Sequence, residues 1–182
     1  MYLATGDARL RQRIIDRIEQ VHFEQWAGRQ NGADYARPLA VHRPDNRMLR
    51  GKSLYWTPWQ DALAAVGFGA AFAITGNEKA KELAEEIALN VVRHGFLLTE
   101  RECEIASALR WQDGRPLTEK EQRDELAAQW SWGSGYEEWA MGALEIARSA
   151  AAARGDDDLA RRAATIQRRV RAARRRSVSP SQ

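Results

Sequence analysis

Residues 58–91 read PWQDALAAVGFGAAFAITGNEKAKELAEEIALNV and predict two antiparallel helices joined by a tight turn. Pro58 suits the first turn of a helix. An apolar stripe follows at three- and four-residue steps, formed by Leu63, Val66, Ala70 and Ile74. Gly76 can take the left-handed conformation that ends a helix, and Asn77 can cap the amides that begin the next one.

Two weaker copies of this pattern lie around Gly6, which is 70 residues before Gly76, and around Gly155, which is 79 residues after Gly76. In each copy an aspartate follows the glycine and leads into apolar residues at helical spacing. The equivalent apolar positions are Ile14, Ile18 and Val21; Ala84, Ile87 and Val91; and Ala163, Ile166 and Val170. We therefore predict an all-α domain of helical-hairpin repeats over residues 1–172, with turns near 6, 76 and 155.

The first of these hairpins is expected to lack its first helix. Residues 58–74 and 136–153 precede the second and third turns, whereas five residues precede Gly6. A second helix without its mate would leave its apolar face unburied. Residues outside this chain, or a protein partner, would complete the hairpin.

The segments between the hairpins, about 22–54 and 96–129, are rich in turn formers and are predicted to be loops. Within the second segment, residues 104–117 predict a small β-hairpin, because Asp113-Gly114 is a favoured turn pair. Thr118 and Glu121 form a capping box, which indicates a further helix over residues 118–129.

Composition excludes several classes of protein. The chain has 182 residues, no apolar run long enough to span a bilayer and no basic-then-apolar leader, so neither a membrane span nor a secretion signal is predicted. Cys103 is the only cysteine, which rules out an intrachain disulfide and a cysteine metal cluster. No phosphate-binding loop is present. We expect no cofactor and no metal, and a location in the cytoplasm, or inside a virion for a component of such an assembly.

Residues 56–63, 74–77 and 84–91, with the weaker copies around Gly6 and Gly155, resemble the α/α-toroid, or six-hairpin, superfamily of glycosidases and polysaccharide lyases. The resemblance covers about half the chain and is architectural, and the same motif describes non-catalytic helical repeats. It implies an arc of inner and outer helices, with two of the six hairpins and half of a third. It also implies a substrate site lined by the loops before Pro58 and Tyr136.

Aromatic residues concentrate in those two loops, in a chain that holds seven tryptophans. Their rings can stack on sugar rings, which predicts a glycan-binding lip made of Tyr55, Trp56, Trp59, Trp130, Trp132 and Tyr136. The alternative is that these aromatics are ordinary core at the end of the helices, and Trp59 and Trp139 favour this interpretation most.

Three acids follow the aromatic loops at similar places in successive repeats: Asp61, Glu137 and Glu138. Glycoside cleavage uses two carboxyl groups across the scissile bond, so these are the candidate catalytic residues. Acids in a first helical turn also stabilise the positive end of a helix, which explains them without a substrate. His42 is a candidate general acid or base, and a solvated loop histidine is its alternative.

The basic character of the chain is confined to its C-terminal region. Residues 161–176 hold eight arginines and no acid, and the rest of the chain holds 20 basic against 25 acidic residues, a formal charge of −5. Residues 173–182 are predicted to be a flexible tail. Polyanion binding is predicted for Arg168, Arg169, Arg171, Arg174, Arg175 and Arg176, with a fraying, solvated helix end as the alternative.

These patterns leave three functional hypotheses. The first is a carbohydrate-binding or carbohydrate-processing part of a toroid. The second is a non-catalytic structural or adaptor component of a larger assembly, for example a phage particle. The third is polyanion binding through the basic tail, which is the only route by which nucleic acid is expected to bind. Enzymatic activity of this chain alone is less expected than a non-catalytic role.

Overall fold

The computed structural model describes residues 7–29, 41–42, 54–98, 100, 103–105, 109–112, 115–116, 120 and 139–178. Within these residues the chain forms five helices, which are α1 (Ala8–Arg29), α2 (Pro58–Thr75), α3 (Glu78–His94), α4 (Met141–Ala153) and α5 (Asp157–Val178). It also forms six short strands, which are β1 (Val41–His42), β2 (Leu54–Trp56), β3 (Phe96–Leu98), β4 (Cys103–Ile105), β5 (Leu109–Gln112) and β6 (Arg115–Pro116). The predicted all-α class with a small β-hairpin is confirmed.

The helices form two hairpins, α2 with α3 and α4 with α5, and a glycine lies at each turn. Gly76 has a φ of 69° and Gly155 a φ of 73°, the left-handed conformation that glycine adopts readily. The next residue then caps the second helix. Asn77 accepts a hydrogen bond from the Lys79 amide at 2.9 Å, and the Asp156 carboxylate accepts one from the Leu159 amide at 3.0 Å. Gly6 lies outside the described residues.

Helix α3 is the centre of the array and contacts the other four helices. Helix α4 packs against both α2 and α3, and its approach to α2 is close, because a Cβ on Gly142 would lie 2.6 Å from Val66 Cγ2. Helix α1 lies mainly along α3, where Ile18 and Val21 are buried.

The buried face of α2 differs from the one predicted. Leu63 is 44% exposed and Val66 38% exposed, although both belong to the predicted apolar stripe. The residues that α2 buries are Pro58, Asp61, Ala62 and Ala65. Helix α2 is apolar on almost every side, so its periodicity could not show which side faces the core.

The strands form two small antiparallel sheets. In one, the order is β1-β2-β5-β6, and β5 pairs with β6 so that Gln112 lies opposite Arg115, as the predicted hairpin requires. In the other, β4 pairs with β3, so Cys103–Ile105 do not belong to that hairpin. The prediction of loops outside the hairpin of residues 104–117 is therefore wrong for β1, β2 and β3.

Some boundaries of the helices also differ from the predicted ones. Helix α1 continues to Arg29, past the expected end at Val21, and α4 begins at Met141. Helix α5 continues to Val178, so the predicted tail boundary at residue 173 lies inside a helix. The predicted helix over residues 118–129 lies outside the described residues, apart from Lys120. Among the described helices, none combines the length and apolar character that crossing a bilayer requires.

Candidate functional site

A buried carboxylate lies at the start of α2. Asp61 is almost fully buried, and its Oδ2 accepts a hydrogen bond of 2.9 Å from the indole Nε1 of Trp56, which is itself fully buried. A buried indole N–H needs an acceptor, and the acid one turn into the helix supplies it. This corrects two predictions. Trp56 belongs to the core and cannot stack on a sugar, and Asp61 in this position cannot reach a substrate in solvent.

Among the aromatic side chains of this region that the structure describes, Trp139 is the exposed one, although it was expected to be core. Its ring meets the half-buried ring of Trp59 edge to face, with centroids 5.6 Å apart and planes at 62°. Trp139 is 50% exposed, and Leu63 and Val66 continue the exposed apolar surface along α2 from Trp59. Aromatic pairs of this geometry are favourable beyond the area that they bury.

The other predicted site residues are not brought into one site by the described part of the chain. His42 lies opposite Tyr55 in the β1–β2 ladder, which aligns their backbones. The remaining members of the predicted lip and acid pair, namely Trp130, Trp132, Tyr136, Glu137 and Glu138, lie outside the described residues. In the part of the chain that is described, no three His, Cys, Asp or Glu side chains are placed to hold a metal ion.

An open groove of about 530 Å³ separates α1 from α2, beside the helix whose hairpin was expected to be completed by residues outside this chain or by a protein partner. Its lining is apolar apart from two arginines, and consists of Leu10, Arg13, Ile14, Arg17 and Ile18 from α1 with Ala64, Gly67, Phe68 and Ala71 from α2. We call it the α1–α2 groove. The signal in the sequence was the apolar character of α2 on all sides, which leaves part of that helix uncovered in an array this small.

The repeat shows why the groove opens where it does. Ile14 is equivalent to Ala84 of α3 and Ala163 of α5, and both alanines are fully packed. Ile14 and Ile18 both line the groove, but Ile14 is only partly buried, whereas Ile18 is buried. The expectation that α1 leaves its whole apolar face uncovered is therefore wrong for Ile18 and Val21, which pack on the core, whereas Ile14 is covered only in part.

The predicted polyanion-binding arginines whose side chains are described do not all lie on one surface. Arg168 and Arg171 line a polar groove between α4 and α5. Arg169 instead donates a hydrogen bond of 2.6 Å to the carbonyl oxygen of Glu100. The side chains of Arg174, Arg175 and Arg176 lie outside the described part of α5.

Comparison of the chain with models of protein families, with curated proteins and with solved structures finds no match. The assignment of a function therefore rests on the geometry of these surfaces.

Proposed function

We propose that this chain is a non-catalytic helical-repeat adaptor that binds an apolar helix of a protein partner in the α1–α2 groove. The observation that carries the proposal is the groove itself, an open apolar channel bounded by two roughly 20-residue helices. Laying the apolar face of a helix into such a groove is a common mode of protein recognition. Exposed apolar surface of this kind marks interaction sites in globular proteins.

The lining specifies the chemistry of the bound helix. Ala64, Gly67 and Ala71 leave room for the close approach of a second backbone, as Gly142 does where α4 meets α2. Arg13 and Arg17 are exposed beside the apolar floor. The partner helix would therefore carry an apolar face with acidic residues at its border, because unlike charges at the rim of an interface favour the correct partner.

The buried state of Asp61 supports a non-catalytic role. The carboxylate is enclosed and bonded to the Trp56 indole, so it stabilises the start of α2 in place of acting on a substrate. In this proposal the resemblance to an α/α toroid concerns architecture, and the repeat serves as an arc on which other helices dock.

A binding measurement with a designed peptide tests the proposal. The probe is a fluorescein-labelled amphipathic helix with a Leu/Ala face bordered by glutamates, titrated with the full chain and followed by fluorescence anisotropy. We expect Ile14→Asp to raise the Kd about 10- to 100-fold, because burial of an isoleucine side chain contributes about 1.5–3 kcal/mol.

Leu63→Asp is the matched control, since Leu63 is exposed on α2 but does not line the groove. It should leave the Kd unchanged, and circular dichroism should show both variants to be folded. The same Kd for Ile14→Asp and the unaltered chain would contradict the proposal, as would equal losses in the two variants.

Glycan binding is a second candidate, favoured by the half-exposed Trp139 ring supported by Trp59. An exposed indole face next to an apolar surface can stack on a sugar ring. Titration with a neutral β-linked oligosaccharide should then quench tryptophan fluorescence, and Trp139→Ala should abolish binding. Affinity that is retained in the folded Trp139→Ala protein would reject this candidate.

A further inference from the structure

Four arginines converge on the groove between α4 and α5. This groove has a volume of about 570 Å³ and is lined by Arg148 of α4 and by Arg161, Arg168 and Arg171 of α5, together with Glu145, Ala164, Thr165 and Gln167. We call it the α4–α5 groove. It shares no lining residue with the α1–α2 groove, so it concerns a separate surface of the protein.

The spacing along α5 places three of these arginines in a row. Arg161, Arg168 and Arg171 follow each other at seven and three residues, which keeps them on one side of the helix at intervals of about 10 Å and about 5 Å along its axis. Arg148 approaches from the neighbouring helix. Cationic groups are thus presented from two walls of one channel.

Two acids lie among these arginines, and each pairs with one of them. Glu145 forms an ion pair with Arg148 and accepts a hydrogen bond of 2.9 Å from Gln167. The hydrogen bond from Arg148, followed by the one from Gln167, lowers the pKa of Glu145, so this side chain is ionised at pH 7. The lining of the groove therefore carries one negative charge and four positive charges. Asp158 pairs with Arg161 where both side chains are largely exposed, and such surface pairs are weak enough for a phosphate to displace the acid.

Other arginines of α5 hold the helix in place and so fix the position of the groove. Arg162 donates hydrogen bonds of 2.9 Å to the carbonyl oxygens of Val92 and Phe96. Arg169 donates to the carbonyl oxygen of Glu100. The arginines of α5 that are anchored in this way differ from those that line the groove, so the groove lies on a rigid support.

We propose that the α4–α5 groove binds the phosphate backbone of double-stranded nucleic acid, without sequence specificity. Arginine is suited to this ligand because its planar donors match phosphate oxygens. None of the described lining residues is aromatic, so stacking on the bases of a single strand is not provided for. Contacts to phosphates position a protein on a duplex but carry no sequence information.

The test measures the affinity of the full chain for a short labelled DNA duplex of mixed sequence over a series of salt concentrations. With three to four phosphate contacts, log K should fall with log[salt] at a slope of about −3. The double variant Arg148→Gln/Arg168→Gln should make that slope shallower by about 1.8, since each lost phosphate contact contributes about 0.9.

The control variant Arg9→Gln/Lys79→Gln removes the same charge from an exposed position on α1 and a partly exposed one on α3, and it should keep the slope of the unaltered chain. Equal slopes for the two double variants would overturn the proposal, as would unchanged binding by the groove variant, which would assign the contact to residues beyond the groove. Binding to vesicles rich in anionic lipid but not to the duplex would also overturn it. Circular dichroism verifies that both variants are folded.

Discussion

His94 lies in the last turn of α3, where a protonated side chain would normally be stabilised by the helix carbonyls. Burial, followed by the positive charges of Arg93 and Arg162, lowers the pKa of His94 to about 4. His94 is therefore neutral at pH 7. The residue that the sequence could not connect with it is Arg162, which is distant in the chain.

This shift predicts a loss of stability in mild acid. The unfolded chain takes up a proton on His94 near pH 6.5, and the folded chain does so near pH 4. Between these two values the unfolded state binds more protons, so the free energy of unfolding is highest above pH 6.5 and decreases as the pH falls to 4. In urea unfolding, His94→Gln should reduce the loss of unfolding free energy between pH 7 and pH 4 by about 3 kcal/mol. Carboxylates titrate in both proteins and cancel in this comparison. An equal loss in both would show that His94 is solvated.

The residues of the candidate site show what sequence can and cannot predict at this scale. The positions of these residues along the chain were predictable, since Trp56 lies just before a helix and Asp61 lies in its first turn. The burial of their side chains was not predictable, because it depends on how β2 and α2 come together in the folded protein. The sequence therefore indicated a lip where the structure has a buried hydrogen bond, and it assigned to the core a tryptophan, Trp139, that is half exposed.

At the scale of the elements, the tight turns illustrate local chemistry that needs no tertiary contact. Gly155 follows α4 and has a positive φ, and Asp156 caps the first turn of α5. These features depend on two adjacent residues, which is why they can be predicted from sequence. The short strands depend instead on partners that are often distant in sequence, as when Leu54 of β2 pairs with Trp111 of β5.

Replacing Gly155 by alanine should destabilise the second hairpin. A side chain at a φ of 73° is strained by about 1–2 kcal/mol, so Gly155→Ala should lower the unfolding free energy by that amount. Gly67→Ala is the matched control, since Gly67 lies inside α2 with open space around an added Cβ, and it should raise the unfolding free energy by up to about 1 kcal/mol. Urea unfolding of both variants checks the signs. Effects of the same sign would contradict the assignment.

At the scale of the whole molecule, charged side chains tie the two hairpins together. Arg154, at the end of α4, forms ion pairs with Glu85 and Glu86 of α3. Arg162 of α5 reaches the carbonyl oxygens at the C-terminal end of α3. The repeat predicted two hairpins, but it did not predict how one packs on the other, because these partners lie about 70 residues apart in the chain.

The α1–α2 groove also belongs to this scale. The sequence predicted that α1 lacks a mate, and it correctly placed apolar residues on the helix. It could not predict that α3 would cover Ile18 and Val21 and leave Ile14 beside α2, since that outcome depends on the angle at which α1 crosses the hairpin. The apolar residues that line the groove on α1 could therefore be predicted, but the shape of the groove could not.

The central position of α3 has a consequence for how the protein opens. Every other helix of the described array contacts α3, and nine of its 17 residues are buried. Its amide hydrogens can meet deuterium only when several neighbours have separated from it, whereas the ends of α1 and α5 can fray by themselves. In a hydrogen-exchange experiment, α3 should therefore retain its protons longest, at a rate that reports on the opening of the entire array.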